Sequence, residues 1–428
     1  MTDTIVHQHG DDGIDRRGFL KCMAWAGTGA VWAMQGGVLR SVPLGRSPEL
    51  AAALKGELFF AQISDSHIGF SKEANPDVTA TLQEAVDRLN RLSRPPAFVL
   101  HTGDISQLSK PTEFDTADQV IRGVRTEHVF YVPGEHDVLE DNGRQYLERY
   151  GKKTRGDGWY SFDHSGVHFI GLVNVLNLKA GGLGNLGPAQ IEWLRKDLRG
   201  KSPSTPIVVF AHVPLWTVYP DWGWGTDDSE QALALLRRFG SVTVLNGHIH
   251  QVMQKVEGHI AFHTTMSTAF PQPAPGAAPS PGPMKVEPAR LRSLLGLATV
   301  TYHQGQHSLA VVDSPLRAAP AGLAAPVPAT ARRDDSAATT PTMVDGAQVV
   351  RIDNFSFNPP ELQVPAGGRV TWINADDVPH LIASADNRFS PSKALDTNDR
   401  YTLTLDAHGA YRYFCTLHPH MTGRLMVG

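Results

Sequence analysis

The sequence predicts an α/β domain followed by a small all-β sandwich. From residue 58 to about residue 317, apolar runs typical of buried strands alternate with amphipathic helical segments, which is the pattern of a mainly parallel sheet covered by helices. After a stretch rich in Pro and Ala (318–346), residues 347–428 contain short strand-like segments separated by Asn-Pro, Gly-Gly and His-Gly turns. A length of 428 residues also exceeds that of one compact domain, so two folded units are expected.

The composition is that of a soluble globular protein, with 41% hydrophobic and 19% charged residues. The net charge of -4 and the lack of a basic run interleaved with aromatic residues give no reason to expect nucleic-acid binding. A small or anionic substrate held by metal ions is compatible with this charge.

Residues 1–53 are predicted to be a signal peptide and leader rather than part of the fold. The segment 15–21 (DRRGFLK) resembles the twin-arginine export signal, and residues 22–39 are uncharged and rich in Ala, Gly and Trp. The alternative is an ordinary Arg-Arg pair before a membrane anchor, so membrane association is expected only through an uncleaved signal. The resemblance implies a periplasmic or secreted protein. Cleavage would remove Cys22 and leave Cys415 as the single cysteine.

The first domain, predicted to span residues 54–317, is built from strands that end in polar residues. The predicted strands are 58–63, 97–100, 128–132, 206–210 and 242–245, with a hairpin at 159–162 and 167–172 and late strands at 300–302 and 309–312. The predicted helices begin after Asn75-Pro76 and at 112–121, 188–198 and 230–239, and residues 271–288 are predicted to be an extended surface arm.

Carboxylate and imidazole side chains follow these strands. They are Asp65, His67, Asp104, Glu135, His136, Asp137, His212, His248 and His250. Because the carboxyl ends of parallel strands meet at the same edge of a sheet, these side chains are expected to face one crevice. The sequence therefore predicts a metal site there.

Residues 58–268 contain five motif blocks in a fixed order: D-x-H, G-D, G-E-H-D, H and G-H-x-H. This order resembles the calcineurin-like metallophosphoesterase family, and in particular its class III cyclic-nucleotide-phosphodiesterase-like members. The resemblance implies an α/β metallophosphoesterase sandwich of two sheets flanked by helices. It implies two divalent or mixed-valence metal ions (Fe, Mn or Zn) that supply a nucleophile and neutralise charge on a small phosphate-ester substrate.

The resemblance also implies a role for each motif residue. One metal ion is expected on Asp65, His67 and His250. The other is expected on His212 and His248, with Asp104 bridging the two. The catalytic set is completed by His136, the expected general acid for the leaving alkoxide, and by Asp137, its expected helper.

Glu135 departs from the family pattern, which has Asn at this position. As a ligand of the second metal ion, its carboxylate adds a negative charge that weakens Lewis acidity and favours harder or higher-charged ions such as iron or manganese. The alternative is that Glu135 turns away and the second site is weakened.

The aromatic-rich loop 214–224 follows His212 directly. It is interpreted either as a wall of the substrate site or as a packed loop that shields the metals or meets another domain. His164 and His168 lack a partner pattern and are interpreted as structural.

The second domain, predicted at 347–428, carries Cys415-x-x-His418-x-x-Met421 with His380 upstream. This spacing is similar to that of the cupredoxins, most of all the amicyanin or pseudoazurin type. The resemblance implies one copper ion, with His380, Cys415 and His418 in a trigonal plane and Met421 as the axial ligand, used for electron transfer with a redox partner protein. His420 is interpreted as a surface residue or a solvent-facing electron port.

Two functions follow from the sequence. The first is an exported binuclear-metal phosphoesterase, acting on a phosphodiester or a phosphomonoester, with a tethered type 1 blue-copper domain. The second is a copper-binding redox or copper-handling protein whose first domain hydrolyses weakly because Glu135 replaces the usual amide. The two domains either act independently or exchange an electron between their metal centres.

Overall fold

The structure, a computed structural model, describes residues 57–139, 141–176, 178–303, 309–319 and 343–428, and the backbone alone of 30–35 and 38–43. These last two segments are antiparallel strands, Ala30–Gln35 (β1) and Val38–Pro43 (β2), and they belong to a unit separate from Leu58–Gly428. The predicted twin-arginine motif and leader otherwise lie outside the described residues, as does most of the predicted linker. Among the described residues, no helix combines the length and apolar character needed to cross a bilayer.

The first part of the chain forms a sandwich of two sheets. One sheet has the order β13-β12-β3-β4-β5 and the other has the order β10-β11-β9-β8-β7-β6. The strands are Glu57–Ile63 (β3), Val99–His101 (β4), Val129–Tyr131 (β5), Tyr160–His164 (β6), Val167–Gly171 (β7), Ile207–Phe210 (β8), Val242–Asn246 (β9), Gln254–Glu257 (β10), Ile260–Thr264 (β11), Gly296–His303 (β12) and Ala310–Pro315 (β13). Strands β3, β4 and β5 pair in parallel, as do β7, β8, β9 and β11.

Helices cover the outer faces of both sheets. They are Val78–Asn90 (α1), Pro111–Ile121 (α2), Arg144–Tyr150 (α3), Pro188–Leu198 (α4), Ser229–Leu236 (α5) and Pro288–Leu294 (α6). The Asp77 carboxylate accepts the Ala80 N–H and so caps α1. Apolar residues of α1 and α2 share one buried cluster with β3 and β4, and those of α4 and α5 share another with β7, β8 and β9.

Aromatic side chains fill the space between the two sheets. Phe60 and Phe98 stack with ring centroids 5.0 Å apart, and Phe169 meets Phe60 edge-on at 5.4 Å. Phe210 of the second sheet joins the same fully buried cluster. Since both faces of each sheet are covered, the central strands such as β8 and β9 are buried on both sides, and polar chemistry is left to their carboxyl ends.

The second part of the chain forms a smaller all-β sandwich. One sheet has the order β14-β15-β18-β20, with β16 beside β15, and the other has the order β17-β22-β21-β19. The strands are Met343–Val344 (β14), Ala347–Ile352 (β15), Phe357–Asn358 (β16), Glu361–Val364 (β17), Gly368–Asn374 (β18), Ile382–Ser384 (β19), Arg400–Leu405 (β20), Gly409–Cys415 (β21) and Thr422–Val427 (β22). Its core packs around the fully buried Trp372.

The two sandwiches pack against each other within one unit. Lys72 Nζ lies 3.6 Å from Asp396 Oδ1, and Lys285 Nζ lies 3.9 Å from Asp377 Oδ2. Leu139 of the first sandwich packs against the apolar core of the second. We call this contact surface the domain interface.

The predicted fold class, an α/β sandwich followed by an all-β sandwich, is confirmed. The late strands do return to the first domain, where β12 and β13 extend the first sheet. Helices α3 and α6 and strands β10 and β11 were not predicted from the sequence. The predicted surface arm 271–288 contains no helix or strand before α6, but it is not wholly at the surface, because Gly282 approaches Phe355 of the second sandwich.

Candidate metal centres

The candidate ligands of the first sandwich lie just beyond the carboxyl ends of β3, β4, β8 and β9, on strained backbone. Five have positive φ angles, namely Asp65 (54°), His67 (41°), Asp104 (50°), His248 (69°) and His250 (52°). Such conformations cost energy and persist only where the surroundings enforce them, as at functional sites. Here the Asp65 N–H donates to Gly103 O at 3.0 Å, and the His67 N–H donates to Asp104 O at 2.9 Å.

Asp65, His67 and His250 form the first group, the Asp65 cluster, whose ligand atoms lie within 4.8 Å of one another. Asp65 Oδ1 lies 3.3 Å from His250 Nε2, and the Nε2 atoms of His67 and His250 are 3.2 Å apart. The Nδ1–H of His67 donates to Gln107 Oε1, and that of His250 donates to Phe270 O. Both Nε2 lone pairs therefore face the same point, where a cation would be stabilised.

Glu135, His212 and His248 form the second group, the Glu135 cluster. Glu135 Oε1 lies 3.0 Å from His248 Nδ1, and Glu135 Oε2 lies 3.1 Å from His212 Nε2. Glu135 Oε2, His212 Nε2 and His248 Nδ1 are nevertheless buried without a hydrogen bond. Buried polar atoms of this kind need a partner, and a metal ion fits the chemistry of all three donors.

Asp104 stands between the two clusters. Its Oδ2 lies 3.5 Å from His67 Nε2 and 3.2 Å from His212 Nε2, and the side chain is only 2% exposed. One carboxylate in contact with both ligand sets can bridge two ions at the spacing of about 3.5–4 Å that binuclear hydrolases use.

The electrostatics of the two clusters suit cations. Burial lowers the pKa of His67 to about 3, so its imidazole is neutral and able to coordinate. Burial opposes the charge on Glu135, but the facing imidazoles of His248 and His212 hold the pKa of its carboxyl well below the ordinary range. The site thus presents ionised carboxylates in a desolvated crevice, which favours metal binding.

The Asp137 carboxylate contacts the backbone on either side of the candidate ligands Asp104 and Glu135. Its carboxylate accepts hydrogen bonds from the backbone N–H groups of Ile105, Ser106 and Gly134 at 2.8–3.1 Å. The His136 Nδ1–H donates instead to the backbone carbonyl of Gln107 at 2.8 Å. The structure therefore makes Asp137 a support of the loop that carries Asp104, because its hydrogen-bonding capacity is already used there.

His136 itself lies at the edge of the Asp65 cluster. Its ligand atom falls within 4.8 Å of those of His67 and Asp104, and its backbone N–H donates to Asp104 Oδ1 at 3.0 Å. With Nδ1 held by Gln107, the other ring nitrogen is the one available to a substrate.

Glycine is required beside the ligands for two different reasons. Gly103 has a φ of 96°, which L side chains rarely adopt. At Gly134 the reason is space, because an added Cβ would overlap the Asp104 carboxylate. Gly103 thus allows the positive φ, whereas Gly134 allows the close approach of the Asp104 carboxylate.

The second sandwich brings Cys415, His380 and His418 together as the Cys415 cluster. Cys415 Sγ lies 3.5 Å from His380 Nδ1 and 3.6 Å from His418 Nδ1, and the two nitrogens are 3.3 Å apart. A point equidistant from three atoms at these separations lies about 2.0 Å from each, close to a metal–nitrogen bond length. All three residues are buried.

Met421 lies next to this cluster. It is 3% exposed, shares the buried apolar core with Cys415, and its carbonyl accepts the Cys415 N–H at 3.1 Å. A thiolate, two imidazoles and a neighbouring thioether are a soft donor set that suits copper.

Two orienting residues were missed by the sequence analysis. Gln107 holds His67 through its side chain, and Asp376 Oδ2 accepts the His380 Nε2–H at 2.9 Å. Burial lowers the pKa of His380, but this hydrogen bond and the Cys415 thiolate raise it to about 9. The position of Asp376, four residues before His380, is the sequence signal that could have identified it.

The Glu135 and Cys415 clusters face each other across a cavity of about 20 Å³. One wall of the cavity is formed by residues of the first sandwich, namely Glu135, His248 and Trp222. The other wall is formed by His418 and His420 of the second sandwich. A space of this size holds about one water molecule.

The aromatic loop 214–224 and His420 lie where the two sandwiches meet, whereas His168 lies within the first sandwich. Trp222 and Trp224 are buried, and the loop meets the second sandwich, since a Cβ on Gly223 would lie 2.8 Å from His420 Nδ1. His420 is half-buried at the domain interface. His168 contacts Asp163 and Asp197 at 2.8 and 2.7 Å, as a structural residue would.

Comparison with known proteins matches both parts of the chain. The calcineurin-like phosphoesterase family matches residues 60–252, and the cupredoxin-like domain family matches residues 325–427. Amicyanin-alpha of Methylorubrum extorquens is 33% identical over 86 residues, which cover 19% of this chain and 72% of that protein.

Two relatives match the first sandwich. The serine/threonine-protein phosphatase CPPED1 of Danio rerio is 26% identical over 226 residues, covering 46% of this chain and 71% of the relative. The probable glycerophosphodiester phosphodiesterase GpdQ of Arcobacter nitrofigilis is 25% identical over 218 residues, covering 49% and 78%. The first sandwich therefore matches the calcineurin-like phosphoesterase family over residues 60–252, and by its second sandwich the chain belongs to the cupredoxin-like proteins.

Proposed function

We propose that the chain is a binuclear-metal phosphoric-ester hydrolase with a tethered type 1 copper domain. The observation that carries the hydrolase proposal is the position of Asp104 Oδ2, in contact with His67 Nε2 on one side and His212 Nε2 on the other. We assign residues 54–317 to the hydrolase, 318–346 to a linker and 347–428 to the copper domain.

Each residue has a defined task in this proposal. The Asp65 cluster would hold one Fe, Mn or Zn ion and the Glu135 cluster would hold the other, with Asp104 between them. The bound ions would supply a hydroxide nucleophile and offset charge on the phosphoryl oxygens. His136, fixed by Gln107, would protonate the leaving alkoxide. Asp137 would keep the Asp104 loop in place.

The substrate class is a small phosphate ester. Relatives of this domain include a phosphatase and a probable glycerophosphodiester phosphodiesterase, so both monoesters and diesters are candidates. Export by the twin-arginine route to the periplasm or exterior rests on Arg16 and Arg17 in the leader.

In the second domain, copper would be held by His380, Cys415, His418 and Met421. This donor set stabilises both oxidation states and leaves no open position for chemistry, so its role would be electron transfer with a redox partner.

Hydrolysis of bis(p-nitrophenyl) phosphate by the purified full-length protein tests the proposal, together with metal analysis and a visible spectrum. We expect two ions of the Fe, Mn or Zn type and one copper per chain, and a blue thiolate-to-copper band. His136→Ala should lose turnover while retaining its metals, and His164→Ala serves as the control that keeps both. Absence of turnover with every metal would contradict the hydrolase.

A second candidate is a copper-binding redox or copper-handling protein with weak hydrolysis. It is favoured by the Glu135 carboxylate, which faces His212 and His248 where the family pattern has an amide. Finding copper bound but no turnover, with none gained in Glu135→Asn, would support this candidate over the first.

A further inference from the structure

His418 takes part in two sites at once. Its Nδ1 faces Cys415 Sγ at 3.6 Å inside the copper-binding cluster. The same imidazole lines the cavity that Glu135 and His248 line from the opposite side. His418 thus belongs both to the Cys415 cluster and to the lining of the cavity that Glu135 and His248 also line.

This juxtaposition is built into the domain interface. The Gly181 N–H donates to Pro419 O at 2.6 Å, which anchors the loop that carries His418 and His420. Charged contacts of Lys72 with Asp396 and of Lys285 with Asp377 also join the two sandwiches. The loop is therefore held from several sides against the phosphoesterase domain.

The two ligand sets differ in the oxidation states they stabilise. Glu135 Oε2 and Asp104 Oδ2 lie 3.1 and 3.2 Å from His212 Nε2, so two carboxylates adjoin the Glu135 cluster, and hard anionic oxygen ligands favour a trivalent over a divalent ion. The Cys415 cluster, with a sulfur ligand in an apolar core, favours the softer copper(I). The electron is therefore expected to move toward copper.

We propose that His418 is an internal electron port, through which a redox-active metal ion in the Glu135 cluster passes one electron to copper in the Cys415 cluster. The inference rests on the metal-binding part of the proposed function. In the balanced step a divalent ion becomes trivalent and copper(II) becomes copper(I), with no bond made or broken and no proton moved. An oxidised redox protein is the class of acceptor that would return copper to copper(II).

The test uses the full-length protein with copper(II) bound and the phosphoesterase site empty of redox metal, under anaerobic conditions. One equivalent of Fe(II) is added and the blue thiolate-to-copper band is followed. We expect the band to bleach with a first-order rate constant that does not change when the protein is diluted, because the step is internal. Zn(II) in place of Fe(II) should leave the band intact.

A docking variant separates internal transfer from direct reduction by free iron. Lys72→Glu/Lys285→Glu places like charges against Asp396 and Asp377 without touching a ligand, and like-charge contacts weaken an interface. Bleaching should slow by about tenfold or more. Lys196→Glu, which changes an exposed lysine near Glu192 on α4, should leave the rate unchanged.

A bleaching rate proportional to protein concentration, or equal in the docking variant, would overturn the electron port. Copper(II) electron paramagnetic resonance gives a second readout, since Mn(II) bound in the Glu135 cluster should broaden the copper signal and Zn(II) should not. Hydrolysis measured on the same samples distinguishes the two proposals. Turnover without bleaching would overturn the port alone, whereas failure to bind either metal would overturn both.

Discussion

Glu135 Oε1 lies 3.0 Å from His248 Nδ1, so the carboxylate that replaces the family amide faces the cluster and does not turn away. Its other oxygen reaches His212 Nε2. In the proposed function, this extra negative charge would lower the Lewis acidity of an ion held there and would repel an anionic ester.

Glu135→Asn should raise turnover of a phosphodiester, because it restores a neutral ligand in the same position. We expect kcat/KM to increase by about tenfold, equivalent to about 1.4 kcal/mol in the activation barrier. Steady-state kinetics at fixed metal loading measure this change. Glu192→Gln, on the outer surface of α4, is the control expected to change nothing. A fall in activity with metal retained would show that the carboxylate is required.

Gln107→Leu should weaken metal binding at the Asp65 cluster. The substitution removes the acceptor that fixes the His67 Nδ1–H, while the backbone carbonyl that holds His136 is retained. Loss of such an orienting partner typically reduces metal affinity by about 10- to 100-fold. Competition with a chelator measures the affinity, and Gln83→Leu on the exposed face of α1 is the control. Unchanged affinity would mean that packing alone orients His67.

The local elements were predictable because their signals are local. Helix 188–198 is found as Pro188–Leu198, since Pro188 opens the first turn and Ile191, Leu194 and Leu198 recur on one buried face. The candidate ligands converge because each one follows a strand that ends at the same crevice. Their order along the chain was therefore enough to group them.

The supporting contacts were not predictable from such signals. Asp137 binds backbone N–H groups some thirty residues earlier in the chain, at Ile105 and Ser106, and no spacing rule encodes that pairing. The domain interface also depends on tertiary packing. Nothing in the sequence near His420 indicates that Gly223, almost two hundred residues earlier, would lie against it. These contacts decide which side chains act and which only support.

Gly134→Ala should destabilise the phosphoesterase domain and its metal site together. The added methyl group would overlap the Asp104 carboxylate. Overpacking of this kind costs about 1–3 kcal/mol in the free energy of unfolding. Chemical denaturation and metal analysis measure both effects. At Gly240 the nearest atom to an added Cβ is Pro203 O at 3.8 Å, so Gly240→Ala is the matched control. Equal stabilities of the two variants would contradict the prediction.

Asp376→Asn should change the copper site without removing a ligand. The Asp376 carboxylate accepts the His380 Nε2–H and places a negative charge beside copper, which stabilises copper(II). We expect copper affinity to fall by about 10- to 100-fold. The reduction potential should rise by an amount on the order of tens of millivolts. Redox titration of the blue band measures the potential. Asp386→Asn, whose carboxylate accepts a hydrogen bond from Ser384, is the control.

Loosening the domain interface should increase hydrolysis. The cavity between Glu135 and His418 is about 20 Å³, which is too small for a phosphate ester, so a substrate approaching from this side must displace the loop that carries His418 and His420. Lys72→Glu/Lys285→Glu weakens docking and leaves every candidate ligand in place. We therefore expect KM for bis(p-nitrophenyl) phosphate to fall and kcat/KM to rise by about tenfold, with Lys196→Glu unchanged. If hydrolysis is unaffected while small-angle X-ray scattering shows the domains apart, the ester enters by another route and the loop does not limit access.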